Sequence, residues 1–495
     1  MRNYTVHISK DSRAAFRNKA AFCVGTGRMG LALQQEYQQQ LKYVQALCGF
    51  QHIRGHGLFC DDVAILQAVP GKGPDRYCFT YLDRIMDSYL QNGLRPFLEL
   101  GFMPEALASG RQTIFHWKGN VTPPKDERRW VALVQVTLRH LCQRYGESEV
   151  EKWPCEIWNE PNLAGFWKDA DKGAYLRLYE ITAPAVKAVL PGMAVGGPAI
   201  CGGDGSQDWI RDFLRFCEQK DLPVDFVTRH AYMGETPEHR GRYLYHAMRG
   251  IDDLVDEMRQ SRAIIDGFDR WRGIPTHITE FNTSYHPFCP IHDTALNAAT
   301  TAGLLARLGE VADSYSYWTF GDVFEEQGVP PTPFHGGFGL MAGGLIPKPT
   351  LWTFHFFNNL KGECVFRNDR LVLTRRGDDS YEGIAWNLCP GPAPGDSARI
   401  SLKIALPGDG PRVLLTRTID ETRGNPLRAW LAMGQPASLT PEQLDFLRMS
   451  AKPECRAEPS DGAVCLTLEK NQVTHFRVMC AGSDPDFGYD PGMYL

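Results

Sequence analysis

From about residue 20 to residue 345, short apolar runs alternate with longer segments whose apolar positions recur every three or four residues. This is the pattern of repeated β-then-α units. Eight runs can be read, at 22–25, 52–56, 96–100, 153–158, 193–195, 224–227, 277–278 and 315–318. Between them, 31–48 places Leu31, Tyr37, Leu41, Val44 and Leu47 at helical spacing, and 81–90 gathers Tyr81, Leu82, Ile85, Met86, Tyr89 and Leu90 on one face before Asn92-Gly93 stops it. Asp126 is the expected N-cap of a helix that repeats Trp130, Val134, Leu138, Leu141 and Tyr145 and ends at Gly146. Eight such units predict an α/β fold of the (β/α)₈ TIM-barrel type, in which chemistry sits where strands end and βα loops begin.

After Lys348-Pro349 the period changes to two, with alternating stretches at 370–374, 398–406, 413–418, 464–468 and 474–479 separated by Gly, Pro and Asp turns. They predict an accessory antiparallel β-sandwich, interrupted by a helix that Thr440 caps and Pro441 opens. The stretch 4–8 also alternates and is expected as a further strand of that sandwich. The expected division is a catalytic barrel over 13–346 and a sandwich built from 1–12 plus 347–495.

Composition narrows the function. The net charge of −5, from 53 basic and 58 acidic residues, leaves no excess for a phosphate backbone, so nucleic acid is not an expected partner. No stretch is long and apolar enough for a membrane span, and the polar start does not read as a secretory signal, so a cytoplasmic protein is expected. The 14 cysteines are scattered without a C-x-x-C pair and read as reduced packing residues, and the sequons at Asn3, Asn120 and Asn282 as chance matches. Eleven Trp hint at a ligand with flat apolar faces, such as a sugar. Gly25-Thr26-Gly27-Arg28-Met29-Gly30 imitates a dinucleotide fingerprint, but Arg54, Gly55 and His56 stand where the acidic partner belongs.

Two acidic residues follow barrel strands that face each other across the mouth. Glu160 ends the fourth run in Trp158-Asn159-Glu160-Pro161-Asn162, and Glu280 ends the seventh in Thr279-Glu280-Phe281-Asn282. Two carboxyls bracketing one bond suit glycoside hydrolysis, where one is protonated and the other ionised. No His-x-His pair suggests a metal hydrolase, and no Gly-x-Ser-x-Gly elbow a serine hydrolase.

With these residues in view the chain resembles family 39 of the glycoside hydrolases, in clan A, and within it the bacterial β-xylosidases. The resemblance runs through the segments 23–28, 54–58, 99–104, 117–126 and 158–163, then His230-Ala231-Tyr232, 277–285, Tyr317-Trp318-Thr319-Phe320, Phe324-Glu325-Glu326 and 334–340. It implies a retaining, exo-acting enzyme releasing xylose from the non-reducing end of xylo-oligosaccharides, with Glu160 as acid/base and Glu280 as nucleophile. It further implies that Asn159 contacts the sugar 2-hydroxyl, that His56, His230 and Tyr232 line the glycone pocket, and that Tyr232 orients Glu280. Trp318 is the expected stacking floor, Glu325 or Glu326 grips hydroxyls, and Phe115 with Trp117 forms an aromatic wall. His116, between them, departs from the aromatic expected there and bears on aglycone preference. No cofactor or metal is implied, the partner is the oligosaccharide, and a homo-oligomer is compatible. The alternatives are the same chemistry on another glycone, an α-L-arabinoside or α-L-iduronide, and a catalytically dead binding barrel, which the presence of both carboxylates disfavours.

Overall fold

A computed structural model describes residues 2–67, 75–377, 380–391, 398–408, 410–481 and 491–493. Eight parallel strands close into a barrel: Cys23–Arg28, His52–His56, Arg95–Leu100, Cys155–Ile157, Val195–Ile200, Phe226–Tyr232, Thr276–Asn282 and Ser314–Tyr317. The eighth returns to the first, with Ser316 opposite Cys23. Each lies at or beside one of the apolar runs, but several extend further, because the barrel interior accepts polar side chains that a hydrophobic run does not register. The fifth starts only at Val195 and continues through Gly196, Gly197 and Pro198. At Gly196 an added Cβ would sit 2.3 Å from the Phe226 carbonyl, so the close strand approach requires glycine.

The helices follow their local signals. Asp126 accepts from the backbone N–H of Arg128 and Arg129 to start Glu127–Tyr145, and Thr440 forms a capping box with Gln443 at the head of Pro441–Ser450. The barrel floor is filled by Phe22, Cys23, Phe97 and Phe226 around the His277 ring, and the mouth lies at the opposite end.

The second half of the fold is a two-sheet sandwich. A six-stranded antiparallel sheet faces a three-stranded one made of Arg2–His7, Arg399–Ala405 and Ala463–Glu469. The N-terminal strand pairs parallel with Arg399–Ala405, a departure from a wholly antiparallel sandwich. No hairpin joins these two strands, so no tight turn dictates their direction. Val6, Leu371, Leu373, Ile404, Leu466 and Phe476 pack between the sheets. The outer face of the larger sheet is buried too, with Ile384, Trp386 and Val473 in the same apolar cluster as the barrel helices. Helix Pro349–Asn359 packs through Leu351, Phe354 and Phe357 into that barrel cluster. On that packing we propose a division of the chain after Asn359 rather than at 346.

Ile404 is wholly buried between the sheets. Truncating it to Ala is expected to lower stability by about 2–4 kcal/mol in denaturant unfolding.

Candidate active site

The side chains above the barrel floor are charged. Arg54, in the middle of the second strand, is wholly buried, and its guanidinium is used on every edge. Nε donates to Glu156 Oε2 at 2.6 Å, one terminal nitrogen to Glu280 Oε1 at 2.8 Å, and the other to Asn159 Oδ1 at 2.8 Å while lying 2.9 Å from Glu99 Oε2. Glu99 and Glu156 stand opposite each other on neighbouring strands. Burial disfavours the charge on Arg54, but the carboxylates outweigh it and hold the group protonated. Burial likewise works against ionised Glu99, yet His56 and Arg54 keep its carboxyl below the usual range. His56 reaches Glu99 Oε2 through Nδ1 at 2.7 Å and turns Nε2 to within 3.6 Å of Glu280 Oε1.

Glu280 lies inside the seventh strand and not beyond it, and the register explains its direction. Arg229 and His230 on the sixth strand pair with Ile278 and Glu280, so Thr279 is an extra residue, a bulge. Two consecutive side chains therefore reach inward: Thr279 donates to Glu156 Oε1 at 3.0 Å, and Glu280 meets Arg54. The other oxygen of Glu280 accepts from the Tyr232 hydroxyl at 2.6 Å. Burial, reinforced by the Glu280 charge, raises the Tyr232 phenol well above its ordinary value, so it stays a donor.

Glu160 is placed by a tight turn. Trp158 and Glu160 adopt φ of 69° and 43°, in the left-handed region that side chains resist. The turn is held by a Glu160 N–H to Ala199 carbonyl bond of 2.9 Å, by the Trp158 indole donating to the Phe166 carbonyl, and by Asn162 bridging to the Cys201 backbone. The result buries Glu160, whose carboxyl is raised to about 7, with burial as the largest cause. His230 Nδ1 lies 2.7 Å from Glu160 Oε1 and 3.4 Å from Glu280 Oε2. Burial lowers His230 to about 4, so the ring is neutral near pH 7. Its Nε2 is buried without a partner. The tautomer protonated on Nδ1 leaves only a bare lone pair unsatisfied there, which costs less than an orphaned N–H. One oxygen of Glu160, one of Glu280 and a ring nitrogen of His230 all lie within 4.8 Å of one another.

A cavity of about 410 Å³ opens on this group. Of the residues expected around a ligand, His56, Glu160, Tyr232, Glu280, Trp318 and Glu326 line it. Asn159 and His230 stand behind that wall, and Asn159 Nδ2 is buried with no partner. Trp318 packs against His56 with ring centroids 4.6 Å apart. Glu325 and Glu326 diverge. Glu326 faces the cavity, and burial followed by the Glu280 and Glu160 charges pushes its carboxyl well above the usual range, favouring the neutral acid. Glu325 turns away, because Arg28 at 2.6 Å and Gln34 at 3.1 Å capture it. Trp117 is also absent from the lining. Its ring packs on Phe102 and Phe115, 5.7 and 5.2 Å away, with the Arg28 guanidinium 5.8 Å from its centre. Phe166, Phe338, Arg249 and Tyr285 also line the cavity, and none of them is given a role there by the sequence alone.

Arg54, Glu99 and Glu156 were also missed, although a signal was present. Each is a charged residue inside an otherwise apolar barrel run, which is tolerable only when paired. Replacing Arg54 with Met strands Glu99 and Glu156 without their counter-ion. The expected loss is about 3–5 kcal/mol of unfolding free energy, measured by chemical denaturation.

Comparison with known proteins places the chain among glycoside hydrolases. A beta-xylosidase from Geobacillus stearothermophilus is 48% identical over 481 residues, covering 95% of this chain and 94% of the relative. A beta-xylosidase from Caldicellulosiruptor saccharolyticus is 35% identical, covering 86% and 87%. The crystal structure of a monomeric beta-xylosidase from Caulobacter crescentus superposes with a TM-score of 0.87 at 32% identity, covering 97% of this chain and all of the other. The model for glycosyl hydrolases family 39 matches residues 4–464, and with a buried carboxyl pair at the mouth of a TIM barrel, the chain belongs to that family.

Proposed function

We propose that this glycoside hydrolase is an exo-acting β-xylosidase that works with retention, Glu280 being the nucleophile and Glu160 the acid/base. The carrying observation is that one oxygen of Glu160 and one of Glu280 lie within 4.8 Å of each other. Retaining enzymes hold this pair ~5–5.5 Å apart so that one attacks the anomeric carbon directly, whereas inverting enzymes open the gap to ~6.5–9.5 Å to admit a water.

The environments divide the labour. Arg54 and Tyr232 each hold one oxygen of Glu280, which fixes the attacking carboxylate. Glu160 has no cation bonded to it, only neutral His230, and is poised near 7 to carry a proton. With Nδ1–H of His230 on Oε1, the acidic proton sits on Oε2 for the leaving oxygen. Attack by Glu280 forms the glycosyl ester as the glycosidic bond breaks and the leaving oxygen takes the Glu160 proton; with the Glu280 charge gone, Glu160 stays ionised and takes a proton from the incoming water. Asn159, fixed through Oδ1 by Arg54, has its Nδ2 donor left for the 2-hydroxyl, a bond that strengthens toward the oxocarbenium-like state.

The glycone is a neutral pentose. Both named relatives above 30% identity that span most of the chain are beta-xylosidases. A uronate needs a free cation, and Arg249, which lines the cavity, is tied to Glu257 at 2.5 Å and to the Tyr232 carbonyl at 2.9 Å. The attacking carboxylate of Glu280, in the same lining, further opposes an anionic sugar. The cavity volume suits one sugar and part of the next, hence short oligosaccharides derived from xylan rather than the polymer. Exposed free thiols at Cys455, Cys465 and Cys480 fit a reducing compartment, the cytoplasm. Among the described residues no helix is long and apolar enough to cross a membrane.

On a panel of nitrophenyl glycosides the β-xyloside is expected to be turned over fastest; preference for an arabinoside or iduronide would overturn the substrate. Glu280→Ala is expected to reduce turnover by at least ~10⁴-fold, and azide to restore activity to Glu160→Ala on an activated substrate by displacing the Glu280 ester, giving a glycosyl azide of retained configuration by NMR. Because Glu160 must be protonated and is raised to about 7, kcat/KM is expected to fall as pH rises through that value, and Glu160→Gln to abolish this alkaline limb.

A further inference from the structure

A second buried ionic group lies outside the carboxyl pair. Lys348 is wholly buried, and its ammonium is 2.6 Å from Asp293 Oδ1 and 2.5 Å from Asp322 Oδ2 while donating to the Gly337 carbonyl at 2.8 Å. The three partners belong to different parts of the barrel mouth: Asp293 to the loop after the seventh strand, Asp322 to the start of the loop after the eighth, and Gly337 to its return. The free oxygens of the aspartates take backbone N–H groups of the same return, Gly336 onto Asp293 at 2.7 Å and Gly339 onto Asp322 at 2.6 Å. Burial opposes the lysine charge, but Asp293 and Asp322 outweigh it and keep the group protonated.

The strand of chain so gripped has no slack. A Cβ at Gly336 would lie 2.5 Å from Cys289 backbone, and one at Gly339 would lie 2.5 Å from Gly321 backbone. Between them Phe338 projects into the catalytic cavity. Its ring meets Phe324 edge-on at 5.3 Å, and Phe324 meets Trp318 at 6.1 Å. Glu326 follows two residues after Phe324. Asn282, just beyond Glu280, donates to the Trp318 carbonyl at 2.6 Å, so this wall is joined to the strand that carries the nucleophile.

We propose that Lys348 is a positioning residue: with Asp293 and Asp322 it clamps two βα loops together and thereby sets the Trp318–Phe338–Glu326 wall against the glycone, fixing how tightly the pocket fits a pentose. Lys348 touches no substrate. A buried pair is weak evidence for stability, since apolar replacements of equal size are often as stable, and a role in geometric specificity is the alternative use of such a group. The proposal rests on the reading of the cavity as a glycone site.

The test compares Lys348→Met with the triple variant Lys348→Met/Asp293→Asn/Asp322→Asn, in which no buried charge is left unpaired and folding is retained even if the single variant fails. Rates are expressed per active site, counted with a 2-fluoro-xyloside that stalls at the glycosyl-enzyme. The expected result is a rise of about tenfold in KM for the nitrophenyl xyloside, a smaller change in kcat, and a xyloside-to-glucoside ratio of kcat/KM that narrows at least threefold, of the order a loosened apolar contact costs. The alkaline limb stays where it is in the wild type, because the Glu160–His230 pair is untouched. A folded triple variant with KM and the ratio both within twofold of wild type overturns the clamp, whatever its thermal stability. Wild-type enzyme inactive on the xyloside instead overturns the substrate reading, and the clamp is then scored by the same ratio on the two best glycosides of the panel.

Discussion

One guanidinium organises the reaction centre. Arg54 sits in the dry interior of the barrel and holds Glu156, Glu280, Asn159 and Glu99, residues of the third, fourth and seventh strands and of the turn after the fourth. An unpaired charge at this depth would cost several kcal/mol, so the cation and its carboxylates are placed together or not at all. Its planar fork fixes directions as well as charge, which a lysine ammonium does not. Glu280 is thereby held in place through one oxygen, and Tyr232 holds the other. Glu160 receives no such bond and sits beside neutral His230 with its carboxyl raised to about 7, so two carboxyls of one residue type, with an oxygen of each within 4.8 Å of the other, stand in unlike surroundings.

The same contrast recurs at the loops. Glu325 and Glu326 are neighbours in the chain, yet Arg28 takes the first out of the cavity and the second, left among carboxyls, favours its neutral form. A neutral acid can both donate to and accept from sugar hydroxyls, which an ionised one cannot. The Lys348 group plays the part for the upper loops that Arg54 plays for the strands: a single buried cation joining segments that are distant in sequence.

Much of the scaffold is legible in the chain because its causes are local. The cap at Asp126, the capping box at Thr440 and the alternation of short apolar runs with helical periods each depend on residues a few positions apart. The candidate pair Glu160 and Glu280 is visible as well, since acidic residues ending opposite barrel strands are few. Arg54, Glu99 and Glu156 escaped because a run is recognised by its apolar members, and a charge within it looks like noise until its partner on another strand is known. Trp117 was expected at the sugar and packs on Phe102 and Phe115 instead, since an aromatic residue fits either environment equally well in composition.

The sequence alone therefore determines the barrel, its sandwich, the family and the reaction type, all carried by periodicity, capping and long ordered motifs. Tertiary structure decides that burial raises the Glu160 carboxyl, which of Glu325 and Glu326 faces the cavity, and how the bulge at Thr279 turns Glu280 inward. These depend on burial and on charges brought within about 3 Å from strands more than 40 residues apart. Electrostatic free energy falls off with distance in space and depends on local solvation, and neither quantity is written in the order of residues along a chain.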